Sequence, residues 1–243
     1  MFHPNPDKLT IRREAVFLIL AGLFLGSLTM LNLLGVTKFI DLTSSIEDVF
    51  GLSIPFRVPI GVLPYPITFL CTDLISELYG KKRANLVVWT GLLLNAWVIL
   101  IVWLGDIFPG TQIEELNTFT EIRNIAYGSV MASMAAYLAA QFIDVYVFHY
   151  LKAKTKGKML WLRNNGSTLI SQMVDTIAVI LITYYSTENV FPMKPEYSIA
   201  TNLIIIIASA YVFKLVAALI DTVPFYLATN YLTEYLELQD VSK

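Results

Sequence analysis

Long apolar stretches separated by short charged loops are the feature that most constrains this chain. Six can be read from the sequence: Ala15–Val36, Val58–Tyr79, Leu86–Gly105, Ile125–Tyr150, Ser167–Ser186 and Ile199–Tyr231. A helix needs about 20 mainly apolar residues to cross a bilayer, and each stretch has roughly that length or more. The sequence therefore predicts an all-α polytopic membrane protein with six transmembrane helices.

Composition agrees with a membrane protein built as one domain. Hydrophobic residues make up 56% of the 243 residues and charged residues only 15%, whereas soluble domains are about 25% charged. Six spans leave little length for anything else, so we expect one integral membrane domain over residues 1–243. The first stretch is longer than a signal-peptide core and lacks a clear small-residue cleavage site, which predicts a retained helix.

Basic residues predict the orientation of the helices. They concentrate in the N-terminal segment and in the second-to-third and fourth-to-fifth connections: Lys8, Arg12, Arg13, Lys81, Lys82, Arg83, Lys152, Lys154, Lys156, Lys158 and Arg163. The other connections hold few, with Lys38 and Arg57 in the first. Because cytoplasmic loops are enriched in Lys and Arg, both termini are predicted to be cytoplasmic.

Prolines interrupt the start of the second stretch. Pro55, Pro59, Pro64 and Pro66 leave a regular helix only from about Pro66 to Tyr79. The preceding residues, Val58–Tyr65, are predicted to be non-helical. They either border a cavity lined by protein or form a loop outside a tilted helix.

Five charged side chains lie well inside the apolar stretches, away from their ends: Asp73, Asp144, Asp175, Asp221 and Lys214. Charges at membrane depth are costly and usually face a bundle interior or an aqueous path. At 1.5 Å per residue, the four carboxylates lie about 12–18 Å from the cytoplasmic helix ends, in one band. One lysine cannot neutralise four carboxylates, so we expect a cargo that supplies a cation, protons or N–H donors.

Polar neighbours share helix faces with these charges, since residues three or four apart lie side by side. They are Glu77 near Asp73, Gln141 near Asp144, Ser167 and Ser171 in line with Asp175 with Thr168 and Gln172 beside them, and Tyr211 near Lys214. Alternatives stay open for several. Ser167 and Thr168 could cap the fifth helix, Glu77 could be interfacial, and Asn95 could form an interhelical hydrogen bond.

Several kinds of site are not indicated. Cys71 is the single cysteine, and His3 and His149 are the only histidines, so the sequence predicts neither a disulfide nor a metal site. The basic residues form no helical stripe and no GxxxxGK[ST] motif occurs, which argues against nucleic-acid binding and ATP hydrolysis. We expect no cofactor, and a homo-oligomer stays open.

Four runs together resemble the queuosine precursor transporters, a vitamin-uptake-like family of bacterial inner-membrane proteins. They are YPITFLCTDLISELYGKKRA (65–84), AYLAAQFIDVYVFHYLK (136–152), STLISQMVDT (167–176) and YVFKLVAALIDTVPFY (211–226). The resemblance covers nearly the whole chain from the second helix onward. It implies a multi-pass inner-membrane importer of 7-deazaguanine bases, such as preQ0, preQ1 or queuine, salvaged for tRNA modification.

Residues that match the family are the candidates for substrate binding: Asp73, Gln141, Asp144, Ser167, Thr168, Gln172, Asp175 and Lys214. A guanine-like ring presents N1–H and a 2-amino group that one carboxylate can accept together, and we expect Asp175 or Asp144 to do so. Glu77, Asn95, Tyr211 and Asp221 are candidates for coupling or support. The family often carries other residues where this chain has Glu77, so no role is transferred to it.

Three mechanisms are compatible with these residues. A secondary transporter, with one aspartate carrying a coupling proton, is favoured. A substrate-binding subunit of a multi-component vitamin importer is a variant of it. An intramembrane enzyme with a pair of carboxylates as acid and base is less well supported, because no histidine, serine or metal constellation accompanies them. We therefore expect a transporter that is not an enzyme.

Overall fold

The computed structural model describes residues 6–35, 37–50, 55–108, 118–156, 160–187 and 191–238. In these ranges the elements are, in chain order, α1 (Pro6–Leu34), β1 (Phe39–Asp41), α2 (Thr43–Phe50), β2 (Arg57–Pro59), α3 (Tyr65–Tyr79), α4 (Lys81–Ile107), α5 (Thr118–Lys154), α6 (Leu160–Ser186) and α7 (Ile199–Tyr235). A 3₁₀ turn, Ile60–Val62, precedes α3. Helices dominate the fold, as predicted, and two three-residue strands accompany them.

Each predicted span overlaps one of the helices of 15 residues or more. Over the described ranges, four of them are long and apolar enough to cross a membrane by length and composition: α1, α4, α6 and α7. The α3 helix has 15 residues, and the apolar part of α5 runs over Ala126–Ala140. An all-α membrane protein is thus confirmed in its main features. The number of six spans and the cytoplasmic termini stay predictions.

The proline-rich segment before α3 pairs with an earlier part of the chain. Strands β1 and β2 run antiparallel, with Phe39 opposite Pro59 and Asp41 opposite Arg57. Helix α3 begins at Tyr65, one residue after Pro64, so the predicted change from non-helical to helical backbone is confirmed. All three residues of β2 are buried. Strand pairing satisfies backbone groups that a proline-rich segment cannot satisfy within a helix.

One compact unit of the chain comprises Met1–Leu31, Leu63–Trp97 and Lys214–Lys243. Its buried apolar cluster is formed by Leu20, Ala21, Phe24, Cys71, Leu74, Ile75, Leu78, Ala84, Val87 and Leu236. The spacing of these residues on α3 places them on one helix face. Arg12 Nη1 and Arg13 Nε donate to the carbonyls of Tyr235 and Leu236, at 3.1 and 3.0 Å. These bonds satisfy carbonyls at the end of α7 that have no partner within the helix.

The second compact unit comprises Asn32–Val62 and Val98–Phe213. Helices α5 and α6 pack against each other within it. A buried cluster of Val62, Ile180, Phe191, Leu203, Ile206 and Ala210 joins the 3₁₀ turn to α6 and α7. The side chain of Asn202 accepts from Lys194 N at 3.0 Å and donates to Lys194 O at 3.1 Å. This pair of bonds holds the segment before α7 against the helix start.

A test of the packing in the first unit uses two glycines. A Cβ atom at Gly91 of α4 would lie 2.6 Å from Leu28 Cδ2 of α1, whereas one at Gly22 would meet nothing within 4 Å. We expect Gly91→Val to lower the free energy of unfolding by about 1–3 kcal/mol more than Gly22→Val, because only Gly91 lies at a close helix contact. Thermal unfolding in detergent measures both. Equal shifts would show that α1 and α4 do not approach closely at Gly91.

Candidate functional site

The predicted site residues are divided between the two compact units. Those in the first are Asp73, Glu77, Asn95, Lys214 and Asp221; those in the second are Ser167, Thr168, Gln172, Asp175 and Tyr211. The side chains of Gln141 and Asp144, on α5, lie outside the described residues. Each unit therefore contains its own set of polar candidate residues.

Lys214 is the buried cation of the first unit. It is 3% exposed, and its Nζ lies 4.1 Å from the centroid of the Tyr65 ring. Tyr65 begins α3, and its carbonyl accepts from Thr68 Oγ1 at 2.7 Å. An ammonium over an aromatic face is stabilised more when both are withdrawn from water. This contact anchors a charge on α7 to the first turn of α3.

Two carboxylates of the first unit are electrostatic neighbours. Asp73 of α3 lies close enough to Asp221 of α7 for the two negative charges to repel. Asp221 Oδ2 is buried and has no hydrogen-bond partner within the ranges that the structure covers. A buried acceptor without a donor is unfavourable, and so is a pair of like charges. A proton, a cation or an N–H donor would stabilise this pair.

The other two candidates of the first unit differ in exposure. Glu77 is exposed near the end of α3, one turn before Gly80. Asn95 of α4 is buried, with 5% of its surface exposed. The roles expected for Glu77 and Asn95 stay predictions.

The polar stripe of the second unit lies well inside α6. The helix begins at Leu160, so Ser167 and Thr168 follow its first turn by several residues, and the alternative that they cap the helix is wrong. Ser167 and Ser171 are buried, Asp175 and Gln172 are half-buried, and Thr168 is exposed. The stripe therefore combines buried hydroxyl groups with a carboxylate that is partly open.

A hydrogen bond connects α6 to α7. Tyr211 OH donates to the carbonyl of Leu169 at 3.1 Å. Within α6, Ser171 Oγ donates to the carbonyl of Thr168 at 3.0 Å. Tyr211 thus bonds to α6 from the neighbouring helix, and its role in coupling or support stays a prediction.

Arg57 is a buried residue that the sequence indicated only as one of the basic residues of a loop. Its side chain is 4% exposed, its Nε lies 3.3 Å from Asp41 Oδ2, and its Nη1 donates to the Pro192 carbonyl at 3.3 Å. Its backbone N–H donates to Ser209 Oγ of α7 at 3.1 Å. One arginine therefore joins β1, β2, the segment before α7 and α7 itself. A basic residue among prolines at the edge of an apolar stretch was the available signal.

Asp41 owes its charge state to these neighbours. Burial by itself raises the pKa of this carboxyl, but hydrogen bonds from Thr43 and the positive charge of Arg57 outweigh it and hold the pKa below the ordinary value. Oδ1 accepts from the N and Oγ1 atoms of Thr43, and Oδ2 faces Arg57. The ionised form is the one that the folded chain favours.

The Asp41 carboxylate gives a pH-dependent prediction. Because its folded pKa is depressed, its contribution to stability is present above the ordinary value of 3.8 and is lost as pH falls through the folded pKa. Half of its side chain is exposed, so we expect at most about 1 kcal/mol. Thermal midpoints of the unaltered chain and Asp41→Asn should differ at pH 7. They should converge as the pH is lowered through the folded pKa of Asp41. A difference independent of pH would contradict this assignment.

The Lys214 and Tyr65 contact gives a second prediction. Tyr65→Phe keeps the aromatic face, whereas Tyr65→Leu removes it, so the leucine variant should be less stable by about 1–2 kcal/mol. Repeating both changes in a Lys214→Met background should abolish the part of this difference due to the cation. Thermal unfolding of the four variants supplies the comparison. An undiminished difference in the Met background would attribute it to packing alone.

Comparisons with known proteins identify the family of this chain. Residues 59–228 match the family described as "Putative vitamin uptake transporter". A "Probable queuosine precursor transporter" from Bacillus subtilis is 30% identical over 169 residues, which are 67% of this chain and 68% of the relative. The "Queuosine precursor transporter" of Escherichia coli is 25% identical over 203 residues, 82% of this chain and 83% of the relative. No solved structure matches the chain.

Proposed function

Because the chain belongs to the queuosine precursor transporter family, we propose that it imports 7-deazaguanine bases, such as preQ0, preQ1 or queuine, for tRNA modification. The proposed location is the bacterial inner membrane, with six spanning helices in one domain and both termini in the cytoplasm. Family membership places the chain among transporters, so transport is proposed in preference to an intramembrane enzyme.

The observation that carries the proposal is the presence of carboxylate acceptors in helices that are otherwise apolar. Asp73 and Asp221 are neighbours in one unit, and Asp175 extends the hydroxyl stripe of α6 in the other. Acceptors in such surroundings are stabilised by N–H donors or cations. A 7-deazaguanine base supplies N–H donors, and preQ1 and queuine also carry an amine that is a cation at neutral pH.

The α6 stripe supports recognition of the purine edge. A carboxylate can accept the N1–H and the 2-amino group of the base together, and Asp175 is the proposed acceptor, with Asp144 as the alternative. Gln172 of the same stripe can donate to the ring carbonyl, and Lys214 is proposed as a substrate-binding residue of the first unit. Ser167, Thr168 and Gln141 complete the proposed substrate-binding set.

The carboxylate pair of the first unit supports a role in coupling or in binding an amine. Asp221 Oδ2 lacks a donor within the described ranges, and Asp73 adds a second negative charge nearby. A proton shared by this pair, or the aminomethyl cation of preQ1 or queuine, would supply the missing donor and reduce the repulsion between the two carboxylates. Secondary transport driven by protons follows if the pair takes the proton. A separate energising subunit would be required if uptake by this chain alone cannot be detected.

The test of this function is uptake of radiolabelled preQ1 and queuine by salvage-dependent cells that carry the chain. Asp175→Asn should reduce uptake about tenfold to a hundredfold, because an amide replaces one acceptor by a donor that faces the donors of the base. Asp106→Asn is the matched control: Asp106 pairs with Arg123 and lies outside the α6 stripe. Its uptake should match that of the unaltered chain.

Two outcomes would count against the proposal. Normal uptake by Asp175→Asn would refute the role of this residue but would still support the proposed cargo class. Absence of uptake by the unaltered chain, with insertion confirmed by membrane fractionation, would mean a different cargo or a missing energising partner. Purified protein incubated with preQ1 should return it chemically unchanged.

A further inference from the structure

Helix α7 contains a proline at a position where a helix ordinarily needs a backbone donor. Pro224 has no N–H, so it removes the donor that would reach the Ile220 carbonyl. Two residues earlier, Thr222 Oγ1 donates to the Ala218 carbonyl at 3.2 Å, a contact that often bends helices. The backbone of α7 is therefore weakened against bending between Ala218 and Pro224.

The part of α7 that follows Pro224 is held firmly to the first unit. Its apolar side chains pack against the buried cluster of that unit, to which Leu236 belongs; they are Phe225, Ala228 and Leu232. Arg12 and Arg13 of α1 donate to backbone carbonyls at the helix end, with N···O distances of 2.9–3.1 Å. Packing and charged hydrogen bonds act together here, so this part of α7 has little freedom to leave its neighbours.

Residues 214–223, named here the Lys214 segment, precede Pro224 and have few apolar contacts. Within the described part of the chain, neither buried apolar cluster includes a residue from 215 to 223. Leu219, Ile220 and Val223 are 74%, 65% and 64% exposed. In a bilayer, lipid tails surround such side chains as favourably as protein does. The Lys214 segment can therefore separate from its neighbours more easily than the part of α7 after Pro224.

Contacts near both ends of the Lys214 segment place it against α3. Lys214 Nζ lies 4.1 Å from the centroid of the Tyr65 ring, and Asp221 is close enough to Asp73 for their charges to repel. Lys214, Ala217 and Asp221 share one face of α7, since they are three and four residues apart. Ala217 is 7% exposed, so this face is covered. The first contact favours the closed arrangement and the second favours separation.

We infer that the Lys214 segment is a gate, which leaves α3 by bending at Pro224 when the contact between Lys214 and Tyr65 opens. This inference rests on the proposed function, because a gate serves the passage of cargo. Opening brings water to Ala217 and to the carboxylate pair of Asp73 and Asp221, and closing covers them. Cargo or a proton reaches the pair while the segment is open.

The reaction of an introduced cysteine with N-ethylmaleimide measures this opening. Ala217→Cys is made together with Cys71→Ala, because Cys71 is the single native cysteine, and the purified full chain is labelled in detergent without cargo. The matched control is Ala21→Cys in the same background. Ala21 is 8% exposed and belongs to the buried cluster of the same unit. We expect Ala217→Cys to react about tenfold faster than Ala21→Cys, because only the former lies on a segment that opens.

Changes at Tyr65 and Pro224 test the contact and the bend separately. Tyr65→Leu removes the ring that faces the ammonium, so it should speed the labelling of Ala217→Cys about fivefold to tenfold, whereas Tyr65→Phe should leave it within about twofold. Pro224→Ala restores the backbone donor and stiffens the helix, so it should slow this labelling about fivefold or more. The labelling rate of Ala21→Cys should stay the same in each background.

The outcomes separate the gate from the function beneath it. Labelling of Ala217→Cys that ignores Tyr65→Leu or Pro224→Ala overturns the gate, and so do equal changes in Ala21→Cys, which would mean general loosening of the unit. Pro224→Ala should also lower uptake of radiolabelled preQ1 about tenfold while its Kd for preQ1 stays within about twofold. Undiminished uptake overturns the role of the gate in transport. Absence of uptake by the unaltered chain refutes the proposed function, whereas labelling without cargo still decides whether the segment opens.

Discussion

The absence of water from the bilayer core is the constraint on which the rest of this structure depends. Every backbone N–H and C=O at that depth needs a partner within the protein, which helices supply internally. The prolines before α3 prevent an α-helix in that segment, whose depth in the bilayer stays a prediction, and β1 pairs with β2 instead. Arg57 then fixes the strand pair through Asp41 and the Pro192 carbonyl. A local break in helical structure is thus stabilised by contacts from distant parts of the chain.

The same constraint explains why few charged side chains lie within the apolar helices. Lys214 is buried against the ring of Tyr65, and Asp221 has a buried oxygen for which the described ranges offer no donor. Water would stabilise each of these groups, so within apolar helices they need a stabilising partner in the protein or a ligand. The ring of Tyr65 is one such partner for Lys214. A ligand or proton is the proposed compensation for the carboxylates.

Sequence patterns located helices better than they located contacts. The break before Tyr65 was predictable because proline lacks an N–H, but strand β1 was not, since three residues give no detectable period. Ser167 and Thr168 were candidates for a helix cap because the polar residues directly before them are typical of a loop. The helix begins at Leu160 instead. Local composition does not show that α6 begins about two turns before Ser167.

The sequence by itself determined that this chain is a helical membrane protein of a transporter family, because apolar length and short motifs are local properties. It also determined which charges fall inside the apolar stretches. Only the tertiary structure decided what lies near each charge: the ring of Tyr65 near Lys214, the like charge of Asp221 near Asp73, and the carboxylate of Asp41 beside Arg57. These pairs join different elements, two of them far apart in the chain. Their distances depend on how helices and strands pack, which no short segment of sequence specifies.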